Sequence, residues 1–106
     1  MALERYVKRK LKEELEVEGW VFIENVAGPG VPPDFPDTTA LSPSGYTCHI
    51  EWKKSKSATV RSGQLWWNRE LNKHNHRAFI VYPENWEEVK NAIIRESREF
   101  LKRIGR

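Results

Sequence analysis

Eight consecutive residues near the middle of this chain alternate strictly between two characters: Tyr46-Thr47-Cys48-His49-Ile50-Glu51-Trp52-Lys53. A period of two is the pattern of a half-buried β-strand, in which successive side chains point to opposite faces. Tyr46, Cys48, Ile50 and Trp52 then form a core face. Thr47, His49, Glu51 and Lys53 share the other face, with Glu51 and Lys53 side by side about 7 Å apart along the strand. An ordinary strand with a surface Glu–Lys pair would show the same letters, so E-x-K alone decides little.

The sequence around this strand supplies what would cover it. Residues 2–18 read as an amphipathic helix, with Leu3, Val7, Leu11 and Leu15 at intervals of four and Lys and Arg opposite. Glu4 lies on the edge of that apolar stripe and Glu14 points roughly the same way, unusual places for carboxylates unless a helix dipole or a site explains them. Gly19 is placed to end the helix. Residues 20–26 read as a strand, largely buried, and 35–41 as a second strand after a Gly/Pro-rich loop, 27–33. Ser42-Pro43-Ser44-Gly45 is a turn signal, so the second and third strands form a hairpin. Residues 54–63 read as a polar basic loop and 64–72 as a helix with Gln64, Trp67 and Leu71 on one stripe. Residues 77–82 read as a buried strand. Asn85 opens a last helix with a capping-box pattern to Glu88, and Trp86, Val89, Ile93 and Phe100 form its core stripe. The order α-β-β-β-α-β-α over residues 1–106 predicts a single α/β domain, a mixed central sheet flanked by helices.

Upstream of the alternating strand stands Pro33-Asp34, and the combination PD…ExK suits metal-dependent phosphodiester cleavage. Two carboxylates, Asp34 and Glu51, offer hard oxygen ligands for Mg²⁺, which polarises a phosphate and lowers the pKa of a bound water. Lys53 beside them could hold that water or offset developing charge.

Composition narrows the alternatives. A net charge of +3 suits a polyanionic partner without demanding one. The single cysteine, Cys48, leaves no internal disulfide framework and fits a reducing compartment. With no signal-peptide pattern, no apolar run near 18 residues and no lipidation motif, a soluble intracellular (cytoplasmic) protein is expected. His74-Asn75-His76 lacks the wide spacing of an HNH nuclease motif. His49, His74, His76 and Cys48 have no usual zinc-ligand spacing, so packing or surface histidines are the better reading. Neither a nucleophile elbow nor a phosphate-cradling glycine loop is present.

Four segments, in order, resemble the PD-(D/E)xK nucleases and, within them, the virus-type replication-repair nuclease (VRR-NUC) domains, especially stand-alone phage forms. They are Leu3-Glu4-Arg5-Tyr6-Val7-Lys8-Arg9; Glu24-Asn25 with Gly28-Pro29-Gly30-Val31-Pro32-Pro33-Asp34; His49-Ile50-Glu51-Trp52-Lys53; and Val60-Arg61-Ser62-Gly63-Gln64-Leu65-Trp66-Trp67. Together they run from Leu3 to Trp67. Two departures stand out. This chain has a second PD, Pro36-Asp37: Asp34 follows the Gly-rich loop at the expected distance after Gly19 and is favoured, while Asp37 lies nearer the expected distance before Glu51. The first helix is also about a turn longer than is usual for the family, which makes Glu14 a rival to Glu4.

The resemblance implies a Mg²⁺- or Mn²⁺-dependent endonuclease acting on DNA, structure-selective for branched DNA such as Holliday junctions, and homodimeric. It implies that Asp34, Glu51 and the backbone carbonyl of Trp52 hold the metal, that Glu4 reaches it directly or through water, that Lys53 orients the attacking water, and that Gln64 braces Lys53 or the water. Lys54, Lys56, Arg61 and Arg69 are candidates for phosphate contacts. Trp66 or Trp67 could build a dimer interface or complete the core. The rival class is a non-catalytic DNA-binding or assembly module on the same fold.

Overall fold

The computed structural model describes residues 3–105. Ala2 and the side chain of Leu3, which the sequence puts in the first helix, lie outside the described part. The elements are α1 (Leu3–Glu16), β1 (Val21–Glu24), β2 (Thr38–Leu41), β3 (Thr47–Trp52), α2 (Ser62–Lys73), β4 (Arg77–Val81) and α3 (Trp86–Arg103), the expected order.

The four strands form one sheet in the order β1-β2-β3-β4. β1, β2 and β3 are antiparallel neighbours, with Thr38 opposite Ile50 and Leu41 opposite Thr47. β4 joins β3 in parallel, Trp52 facing Val81, so the chain must cross over between them, and α2 is that crossover. β3 therefore lies inside the sheet, between β2 and β4.

Its alternation sorts the layers. Tyr46, Cys48, Ile50 and Trp52 are all buried, packed in one core with Val7, Leu11 and Leu15 of α1 and Val89 and Ile93 of α3. Each such side chain taken fully out of water contributes about 1.5–3 kcal/mol, which is why a four-residue apolar repeat suffices to dock α1. Trp86 and Phe100 pack at the margin of this core. Polar ties fix the helices: Lys90 donates to Glu14 at 2.7 Å between α3 and α1, and Arg77 and Tyr46 both donate to Glu96 of α3. Gly19, at φ 91°, turns the chain from α1 into Trp20.

The other face is covered by α2. Trp67 packs edge-on against Phe35, which packs edge-on against His49. Asn68 and Asn72 donate to the Ala78 carbonyl at 3.2 and 3.0 Å, stapling α2 to β4. α2 begins at Ser62, two residues earlier than its apolar stripe indicates.

Two readings need correction. β1 is an edge strand of four residues, and α2 does not reach it: Val21 and Ile23 are exposed, while Trp20 is buried and Phe22 packs against the core. An apolar run encodes strand propensity, not the presence of a covering layer. Asn85 does not cap α3 with its side chain; it accepts from the Tyr82 amide and donates to the Ile80 carbonyl, clamping the exit of β4.

Candidate metal centre

The site lies where β3 outruns β2. β2 begins at Thr38, opposite Ile50, so Glu51 and Trp52 extend past it while still paired with β4. The Lys53 amide donates to the Val81 carbonyl at 2.7 Å. By the alternation of backbone groups along a strand, the Trp52 amide and carbonyl must point the other way, towards the vacated β2 side. The Trp52 amide meets the Asp37 carboxylate there, donating to Oδ2 at 3.0 Å. The Trp52 carbonyl emerges on the same side.

Asp37, not Asp34, is the carboxylate beside Glu51. The Asp37 carboxylate lies close enough to Glu51 for its charge to disfavour ionisation there. Asp34, the residue favoured from sequence, turns its carboxylate to Arg61, which donates from Nε at 3.0 Å and from Nη2 at 2.6 Å. The register explains the exchange: with Thr38 opposite Ile50, the residue one step before β2 reaches the level of Glu51, and that residue is Asp37.

Glu51 is buried, only 7% exposed. Burial, followed by the neighbouring Asp37 charge, pushes its carboxyl up to about 8, against the pull of Lys53 and Arg61. Gln64 organises the other side. Its Nε2 donates to Glu51 Oε2 at 2.8 Å, and its Oε1 accepts from Lys53 Nζ at 2.7 Å and from the Arg61 amide at 3.0 Å. These partners fix which way round the amide sits, since only nitrogen can donate to the carboxylate and only oxygen can accept from the ammonium. Lys53 Nζ also lies 3.9 Å from Glu51 Oε2. The sequence reading that groups Glu51, Lys53 and Gln64 matches the geometry.

Glu4 and Glu14 part company. Glu4 lines a cavity of about 340 Å³ together with Lys8, Glu24, Asn25, Asp37 and Trp52. Glu14 is engaged by Lys90 on α3, whose hydrogen bond holds its carboxyl below the usual range. Of the basic candidates, Lys54, Lys56, Arg61 and Arg69 are all exposed. His49 bonds Thr39 at 2.9 Å, and its burial disfavours the charged imidazolium.

Asn25 has a role the sequence reading left unassigned. Its side chain donates to the Pro36 carbonyl and to Thr39 Oγ1, each at 3.0 Å, and its amide donates to the Asp37 carbonyl at 2.8 Å. Three bonds from one residue hold the second PD in place. Glu24 is also tied in, accepting from Lys8, Lys12 and Thr38. Only the pair Glu24-Asn25 in the segment before the Gly-rich loop hinted at this.

Among the described residues no three His, Cys, Asp or Glu side chains converge as a ready-made metal cage. The donors that converge are two carboxylates, with the Trp52 carbonyl turned to the same side. That set is all oxygen, and it fits a hard divalent cation that keeps several of its waters. The fit is also electrostatic: a buried carboxylate held against another needs either a proton or a cation.

The whole fold is that of a known domain. A solved structure described as a VRR_NUC domain matches with TM-score 0.72 and 21% identity, over 84% of this chain and 95% of that one. The chain thus has a VRR_NUC-type α/β fold, as the four sequence segments led one to expect. No protein-family model matches the sequence, and no curated protein does. No helix among the described residues is long and apolar enough to cross a membrane.

Proposed function

We propose that this protein is a divalent-metal-dependent endodeoxyribonuclease. The observation that carries the reading is the buried Glu51, with the half-buried Asp37 beside it and Lys53 tied to it through Gln64. Asp37, Glu51 and the Trp52 carbonyl would hold Mg²⁺ or Mn²⁺, with Glu4 reaching it across the cavity through water. The ion would supply Lewis-acid polarisation of the phosphate and a more acidic water. Lys53 orients the attacking water and offsets charge that develops on the phosphate oxygens. Gln64 keeps the Lys53 ammonium and the Glu51 carboxylate at fixed separation. The product is a hydrolysed P–O bond with no covalent enzyme intermediate.

The exposed Lys54, Lys56, Arg61 and Arg69 would neutralise phosphates, giving salt-dependent affinity with little base specificity. Selection for branched DNA would come from a homodimer that sets two sites across a junction. The exposed Trp66, at 54%, and the bare outer side of β1 offer apolar surface for such an interface. Incubation with linear, nicked, flap and four-way-junction DNA, with Mg²⁺, Mn²⁺ or EDTA, tests the reading. Cleavage should need metal and vanish in Glu51→Gln. Cleavage that persists in EDTA, or in Glu51→Gln, would remove it.

A further inference from the structure

Asp34 has no place in the metal centre, yet the chain holds it with care. Its backbone sits in the left-handed region at φ 61°, a conformation aspartate tolerates better than most residues. The preceding carbonyl, of Pro33, accepts from Trp67 Nε1 at 3.0 Å. Its carboxylate lies over Gly63 so closely that any Cβ at position 63 would collide with it. Three separate features therefore bring one carboxylate to the start of α2, where its partner is Arg61.

Arg61 is the residue through which the basic loop meets the site. Its amide bonds to Gln64, which also carries Lys53 and Glu51. Its guanidinium, 68% exposed, is turned onto Asp34. The exposed arginine nearest the catalytic brace is thus already occupied by an internal anion.

We propose that Asp34 is a charge latch on Arg61. In the free protein its carboxylate holds the guanidinium, and a DNA phosphate takes its place when nucleic acid binds. This rests on the nuclease reading above and gives Asp34 a role opposite to that of a ligand: it restrains DNA affinity and leaves chemistry untouched. The exchange is feasible because an exposed ion pair is weak, corresponding to about fivefold in an equilibrium constant at most. A phosphate in a polyanion, whose binding also releases counterions, can displace it.

The test is salt-titrated binding of a short duplex in EDTA, with cleavage in Mn²⁺ measured in parallel. Asp34→Asn and Asp34→Gly both suit a left-handed backbone, so at least one variant should fold normally. Both should bind about two- to fivefold more tightly. Both should also steepen the dependence of log K on log salt by up to about one. Cleavage at saturating DNA should stay at the wild-type rate, and in an Arg61→Ala background Asp34→Asn should have no effect. Loss of Mn²⁺-dependent cleavage in both Asp34 variants would instead make Asp34 part of the chemistry and overturn the latch. Unchanged affinity against a wild type that does bind DNA, or tightening that persists without Arg61, would overturn it too. If no variant binds any DNA, the nuclease reading itself falls, a result distinct from these.

Discussion

Replacing Glu51 with glutamine should stabilise the metal-free protein, and by an amount that depends on pH. The native carboxyl titrates near 8 against an ordinary value of 4.5. Between those values the folded state holds a proton that the unfolded state has released, so stability falls as pH rises through the window. Each unit costs about 1.4 kcal/mol, so the full window amounts to about 5 kcal/mol, lost by the time Glu51 is charged above pH 8. Glutamine is the same shape as the protonated acid. It can accept from Gln64 Nε2 as Glu51 does and donate to Asp37. Urea unfolding in EDTA at pH 5, 7 and 9 should show the two proteins nearly equal at pH 5. At pH 9 the variant should be more stable by about 3–5 kcal/mol. His49, whose imidazolium is disfavoured by burial, adds a slope of opposite sign below pH 6.5, but it is common to both proteins and cancels in the difference. Millimolar Mn²⁺ should restore the wild type at pH 9 and leave Glu51→Gln unmoved. A stability difference independent of pH, or a variant less stable throughout, would show that Glu51 is not held in conflict with Asp37.

Asp37→Asn should abolish Mn²⁺ binding by calorimetry, whereas Asp34→Asn should bind Mn²⁺ like the wild type. Lys53→Met should lower the cleavage rate at least about 100-fold while leaving DNA affinity nearly intact, since charge at the reacting phosphate is lost and no core volume is. Asn25→Ala removes two side-chain bonds that anchor the Asp37 loop and should cost about 1–3 kcal/mol in urea unfolding, with weaker Mn²⁺ binding alongside. Cys48, fully buried with its thiol pushed up to about 12 by that burial, should resist iodoacetamide at pH 8 until urea unfolds the chain.

How far the sequence could be read depended on whether a feature is local. The alternation of Tyr46 to Lys53 specifies both faces of β3 by itself, and the spacing of Val7, Leu11 and Leu15 specifies how α1 docks. The bond of Gln64 to Lys53 followed from the resemblance, with α2 beginning just after the basic loop, whereas its bond to Glu51 did not. The choice between Pro33-Asp34 and Pro36-Asp37 is not local. It is decided by hairpin register, set where Thr38 meets Ile50, and no residue pattern in the irregular stretch before β2 encodes that meeting. The exposure of β1 is hidden for a related reason. Val21, Phe22 and Ile23 have the composition of a buried strand, and only the limited reach of α2 leaves one side bare.

The location of the centre follows from one mismatch in strand length. β2 stops at the level of Ile50 while β4 continues alongside Trp52, so the end of β3 is rigid on one side and open on the other. An open side frees the Trp52 amide and carbonyl. The amide could have gone to solvent, but it fixes Asp37 instead, which turns a loop carboxylate into one as well placed as a strand residue. The rigid side keeps Glu51 buried and prevents it from swinging out to water to escape Asp37. The conflict between the two carboxylates is therefore built into the backbone geometry. A proton or a cation relieves it. Relief by a cation makes metal affinity and folded-state strain two readings of one quantity. Asn25→Ala tests whether they are one quantity, because slackening the Asp37 loop should ease the conflict and reduce Mn²⁺ affinity together. A variant that lost stability in EDTA yet bound Mn²⁺ as tightly as the wild type would show that the ion does not depend on Asp37 being held where Asn25 puts it.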